Sequence, residues 1–241
     1  MSNNKKEVGV KPLNYRATLF TESEQPIMTP ERESEIKDAF SGTGLTTKEA
    51  KVVTYTVQPS GTSHSETPLI QLVEEGKSLV VINKPGRLDI ECRQDVACID
   101  DFVDLVQNIM THWGQIYNGE YKRIALATTI MFDLNDEDRY NAYTRITNNV
   151  DENPFEWSLN RVFEFTLKGT AVRVNDYNTI SCKPLIINNK RDSRVLLMTE
   201  INTVLGQSSE AVMSCIDSFW TEASAFMKDK ISEVTQKIQC E

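Results

Sequence analysis

Two histidines, His64 and His112, and five cysteines, Cys92, Cys98, Cys182, Cys215 and Cys240, are the chain's full stock of imidazole and thiol. The run Ser60-Gly-Thr-Ser-His64-Ser-Glu66 holds the residue types of a hydrolytic triad. A triad needs its three members fixed at set angles by distant segments. Neighbours in one Ser- and Thr-rich stretch lack that fixation, so His64 is expected in a solvated loop. His112 lies beside Trp113 in a helical pattern and is expected as a half-exposed helix residue rather than a proton carrier. Zinc asks for several Cys, His or carboxylate ligands at short spacing. Cys92 and Cys98 have five residues between them and no nearby histidine. Asp133-Leu-Asn-Asp-Glu-Asp138 begins like a calcium loop, but Asp138 takes the place of the required glycine and Thr144 that of the bidentate Glu. Gly42-Thr-Gly44 and Thr46-Thr-Lys48 lack the glycine–lysine–hydroxyl order of a phosphate loop. No catalytic residue, metal ligand or cofactor site is assigned, and a non-enzymatic protein is expected.

One region does combine rings with positive charge. Tyr121, Tyr140, Tyr143, Phe155 and Trp157 are interleaved with Lys122, Arg123, Arg139 and Arg145. Rings and cations together make a stacking platform for bases. Tyr121, Lys122, Arg123, Arg139, Tyr143 and Arg145 are therefore the candidate residues for a nucleotide or a single-stranded nucleic acid. The competing expectation is that these rings pack a junction between two halves of the chain. Composition weighs against nucleic acid: 26 Lys and Arg face 35 Asp and Glu, a net charge of −9, and phosphate binders need clustered cations. The cysteine count is odd and no C-x-x-C occurs, which fits reduced thiols. Residues 1–10 are polar and unlike a secretory signal. No apolar run is long enough to cross a bilayer. A cytoplasmic protein without membrane contact is expected.

Local patterning supplies the elements. Residues 15–21 alternate as a strand. Thr29-Pro30-Glu31 is a helix start, with Thr as cap and Pro in the first turn, and that helix should run to about Phe40. Residues 51–58 are β-rich, 59–68 read as a long exposed loop, and 69–74, 79–83 and 88–92 form an antiparallel meander. Residues 96–117 carry Phe102, Leu105, Val106, Ile109, Trp113, Ile116 and Tyr117 on one helical stripe, which Asn118-Gly119 should stop. The pattern then restarts. Strands are expected over 123–132, 161–167, 171–174, 179–187 and 194–203, a short helix over 136–146, and a final amphipathic helix over 209–238.

This order predicts an α+β fold of two antiparallel strand-meander units, each closed by a long amphipathic helix, an arrangement suggestive of internal duplication. The expected division is a flexible tail over 1–12, a first unit over 13–119 and a second over 120–241.

The strand Tyr121-Lys-Arg-Ile-Ala-Leu126, preceded by 88–90 and by a helix with Phe102 and Trp113, resembles part of a sporadically distributed, poorly characterised bacterial family of about this length. That family carries a Tyr-x-Arg-Ile-Gly-Leu-Arg-Tyr-Ile-Asn strand and closes with a strand similar to Met198-Thr-Glu-Ile-Asn202 and a terminal helix. Here Ala125 replaces the glycine, and Ala127 and Thr128 replace the Arg-Tyr. The resemblance implies a bacterial accessory protein from a defence or mobile-element locus and brings no catalytic residues. The resulting expectation is a protein-interaction or assembly subunit that engages a protein partner, or a second copy of itself, through a strand edge or helix face. The nucleotide or nucleic-acid module is the first alternative, and an enzyme with an unrecognised carboxylate or thiol site is the second.

Overall fold

A computed structural model describes residues 8–21, 29–58, 61–84, 86–93, 98–117, 119–150, 154–187 and 190–239. The elements are β1 (Gly9–Thr21), α1 (Pro30–Ala39), β2 (Leu45–Gln58), β3 (Gly61–Glu74), β4 (Val80–Lys84), β5 (Arg87–Cys92), α2 (Ile99–Trp113), β6 (Tyr121–Asp133), α3 (Asp136–Thr147), β7 (Trp157–Thr166), β8 (Arg173–Ile187), β9 (Lys190–Thr203), α4 (Ser209–Ser214) and α5 (Ile216–Gln239). The strands form one nine-stranded sheet in the order β2-β3-β4-β5-β1-β6-β9-β8-β7. Within it β2–β3, β3–β4, β4–β5, β6–β9, β7–β8 and β8–β9 are antiparallel.

The two separate helix-closed meanders expected from the sequence are not formed. β1 lies between β5 and β6, so both runs of strands belong to one sheet. Two sheets would leave four strand edges without backbone partners; among the described residues one sheet leaves two, at β2 and β7. Nor do the helices have the expected form. α2 ends at Trp113 with Gly114 as its cap, short of the expected stop, and the last helical stretch is broken at Cys215 into α4 and α5.

The chain divides into two compact units. The first comprises Met1–Tyr15, Ala125–Val204 and Asp217–Glu241; the second comprises Arg16–Ile124 and Leu205–Ile216. β1 begins at Gly9, inside the stretch expected as a tail.

In the first unit the core is built from Ile130 and Phe132 of β6, Ile180 of β8, Val195 and Leu197 of β9, Ala142 and Ile146 of α3, and Val234 and Ile238 of α5. The strand positions alternate and the helix positions step by three or four, so each element turns one face inward. Asn135 caps α3 through a side-chain oxygen that accepts from the Asp138 N–H at 2.8 Å. Asn148 closes that helix in the left-handed conformation, φ 58°. β8 is a single strand where the sequence suggested two.

In the second unit Thr29 caps α1, its Oγ1 accepting from the Arg32 N–H at 3.3 Å, and Pro30 starts the helix as expected. α2 buries Ile99, Phe102, Val103, Val106, Ile109 and Trp113 along one stripe. His112 is half-buried, and its Nδ1 donates to the Ala39 carbonyl, 2.8 Å away at the end of α1. It is a fastener between two helices.

The largest departure from the sequence reading is the stretch expected as a loop. Residues 61–68 belong to β3, which pairs with β2 from Leu45 opposite Glu74 to Gln58 opposite Gly61. Residues 59–60 lie outside the described set. Composition suggested a loop because Ser, Thr and Gly are frequent in loops, but Thr suits a strand and paired backbone groups do not require apolar side chains.

Candidate functional site

Two features stand out, one in each unit. In the first, α3, the start of β7 and the middle of β8 border a cleft of about 230 Å³. Asp136, Arg139, Tyr140, Phe155, Trp157 and Cys182 line it. Arg139 is held as a fixed fork: Nη1 donates to the Ser193 carbonyl at 2.9 Å and Nη2 pairs with Asp136. Tyr140 donates its hydroxyl to the Val150 carbonyl at 3.1 Å. The Tyr143 ring lies 5.5 Å from Trp157, centroid to centroid. Arg139 and Tyr143 are four residues apart on α3 and so share a face. A guanidinium beside aromatic rings suits a flat anionic group once that group takes the place of Asp136 on it. Cys182 is almost fully buried. Burial pushes its thiol up, against the opposing pull of Arg139 and with a further push from Glu156. A neutral thiol is a poor nucleophile.

The six residues expected to form one nucleotide site do not share one unit. Arg139, Tyr143 and Arg145 fall in the first, and Tyr121, Lys122 and Arg123 in the second. Arg139 reaches the cleft. Tyr143 is buried against Trp157 and is not among the residues that line it. Arg145 is spent on the backbone, its Nη1 donating to the Ile238 carbonyl at 2.8 Å. In the second unit Tyr121 is buried, its ring 5.9 Å from that of Tyr117. Burial, with Tyr117 adding to it, raises its phenol well above the ordinary range. Arg123 lies over the Phe20 ring, 5.1 Å from its centroid, while Lys122 is exposed. Phe155 and Trp157, expected among the stacking rings, line the cleft, and Cys182, expected only as a reduced thiol, borders it. Among the described residues no three His, Cys, Asp or Glu side chains converge as metal ligands, and no helix is long and apolar enough to cross a membrane.

The second feature is the β2–β3 ribbon. Their pairing spans 14 residues on each strand, about 45 Å at the usual strand rise. β3 meets β4 only over Gln71–Val73 against Val80–Ile82. Beyond that register residues 51–58 and 61–68 pair with each other as a two-stranded arm. Lys51, Tyr55 and residues 62–66 on it are exposed, Tyr55 at 68%. His64 stands opposite Tyr55, the rings 6.1 Å apart, and Lys51 Nζ bonds Glu66 at 2.8 Å. His64 is thus exposed as expected, but on a strand and beside an aromatic ring. β2 stands at the end of the sheet order, so its far edge carries backbone donors and acceptors with no strand beside them among the described residues.

No protein-family model and no curated protein matches this chain.

Proposed function

We propose that this protein is a non-enzymatic assembly subunit that recruits a protein partner along the open edge of β2. The observation that carries this reading is the β2–β3 arm. A two-stranded hairpin standing alone is marginal in water, and an unpaired edge is a template for another strand. An arm of this length, with residues 62–66 all exposed, gains a reason to exist when a third strand joins it. The resemblance at residues 121–126 supports placing such a subunit in a bacterial defence or mobile-element locus. The test is replacement of residues 51–68 by an Asn-Gly turn, followed by light scattering and co-purification with the products of flanking genes. The shortened chain should keep its circular dichroism and lose association. Association that survives the deletion overturns the reading.

The cleft favours a second reading, a site for a nucleotide or another flat anion. Titration with a nucleotide should then quench tryptophan fluorescence. Arg139→Ala should weaken binding by about tenfold, the worth of a charge-assisted contact, and Lys122→Ala should leave it unchanged. Equal sensitivity to both would refute a site at the cleft.

A further inference from the structure

We infer that the strand which completes the β2 edge comes from a second copy of this chain, paired antiparallel across a two-fold axis at Ala50. This rests on the reading of β2 as a docking edge and names its occupant. A two-fold axis perpendicular to a sheet sets each residue opposite one on the same face of the partner strand, so only residues an even number of positions apart can meet. β2 reads Leu-Thr-Thr-Lys-Glu-Ala-Lys-Val-Val-Thr-Tyr from 45 to 55. About Ala50, Glu49 of each copy faces Lys51 of the other, twice over. Thr47 then faces Val53, and Leu45 faces Tyr55. These six residues share one face of the strand, the face on which Glu49 and Lys51 are exposed and Tyr55 is 68% exposed. The charges cross-match in the centre, and a Thr–Val pair and a Leu–Tyr pair flank them on each side.

Charge on an edge strand also serves to repel unwanted pairing. That device works by like charges meeting, whereas here opposite signs meet in the symmetric register. An eleven-residue antiparallel pairing also forms about ten main-chain hydrogen bonds, the number a standard interface carries. The ribbon itself supplies the rigidity: β2 is held to β3 along its whole length, so little backbone freedom is lost on docking.

The experiment uses the full chain in sedimentation equilibrium. Wild type should dimerise, more weakly as salt rises, because the exposed pairs are screened. Glu49→Lys sets lysines against lysines at both central pairs and should weaken the dimer by about tenfold or more. Lys51→Glu alone would also set two acids together within the arm, since Lys51 pairs with Glu66. The second variant is therefore Lys51→Glu with Glu66→Lys, which keeps an internal pair while opposing acids across the interface. Each variant alone should be monomeric at concentrations where wild type is dimeric, and an equimolar mixture of the two should restore a heterodimer. Unchanged circular dichroism confirms that each variant folds. A wild-type monomer that still binds the product of a flanking gene through the arm overturns the second copy but leaves the docking edge standing. A wild-type dimer indifferent to both variants overturns the β2 interface. Deletion of residues 51–68 that leaves every association intact removes the docking edge itself.

Discussion

Asp89 and Asp176 are both interior carboxylates, 2% and 1% exposed, and conversion of each to Asn should move stability in opposite directions. In the second unit Asp89 is fully engaged. Oδ1 accepts from Thr18 Oγ1 at 3.0 Å, and Oδ2 accepts from Lys84 Nζ at 2.8 Å and Arg87 Nε at 3.0 Å. Asp89→Asn removes the charge and turns an amide toward a cation. Breaking a fully buried pair costs about 3–5 kcal/mol. Lys84 and Arg87 are 28% and 41% exposed and can rehydrate, so the loss should be about 2–3 kcal/mol. In the first unit, among the described residues, neither oxygen of Asp176 has a partner at full hydrogen-bond geometry, and neither does the side-chain amide of neighbouring Asn178. Burial raises the Asp176 carboxyl above its ordinary range; the nearby Asn178 amide and Lys230 pull it down less, and Glu233 pushes it up. A carboxyl raised in the fold contributes its full stability below the unfolded value, about 3.9. It loses that contribution as pH rises from there through the folded value. An asparagine in its place has nearly the same shape and no charge to desolvate. Asp176→Asn should therefore stabilise the protein at pH 7 by about 1–3 kcal/mol, which is about 3–10 °C in a chain of this size, and the gain should close below about pH 4. Scanning calorimetry from about pH 3.5 to 8 reads both variants across that window. A destabilising Asp176→Asn at neutral pH, or a gain indifferent to pH, would refute the reasoning.

Other changes test separate parts of the structure. Under native conditions iodoacetamide should modify exposed Cys98 before buried Cys92, Cys182 and Cys215, which should be spared until denaturant is added; peptide mass spectrometry reads the order. Arg145→Ala should cost about 1–2 kcal/mol in urea denaturation, because the Ile238 carbonyl in the last turn of α5 loses a charged donor, and it should leave association unchanged. Phe102→Ala should cost about 3–5 kcal/mol through the cavity left by a fully buried ring on α2, seen as a lower urea midpoint.

How far the sequence could be read depended on which interactions were local. α1 was legible because its cap is written into adjacent residues, Thr29 with Pro30. The extents of β6 and β9 were largely legible because β-rich runs mark them over 123–132 and 194–203. Alternation says nothing of which strand lies alongside, so the place of β1 between β5 and β6 was out of reach. The same limit hid the arm, where residues 61–66 are held by backbone pairing to β2 rather than by apolar side chains. At the cleft, Arg139 and Tyr143 could be grouped because helical spacing joins them. Lys122 and Arg123 could not be kept together, because successive strand residues point to opposite faces: one is exposed, and the other lies over Phe20.

The two ends of the sheet differ in the physics that matters for pairing. β7 also carries exposed apolar residues, Val162 at 56% and Phe163 at 52%, and opposite charges, Arg161 and Glu164. Those charges are three positions apart and lie on opposite faces, so no two-fold pairing of β7 with its copy can set them against each other. Glu164 is moreover bonded at 3.0 Å to Arg173 on the neighbouring strand. On β2 the separation is two positions, and a single register satisfies both central pairs at once. A shift of that register by one residue on each strand would move the axis to Glu49 or Lys51 and bring like charges together at the centre. The β2 edge therefore holds attraction in one register and repulsion in its nearest symmetric neighbours, which is what a specific interface requires and an indiscriminately adhesive edge lacks.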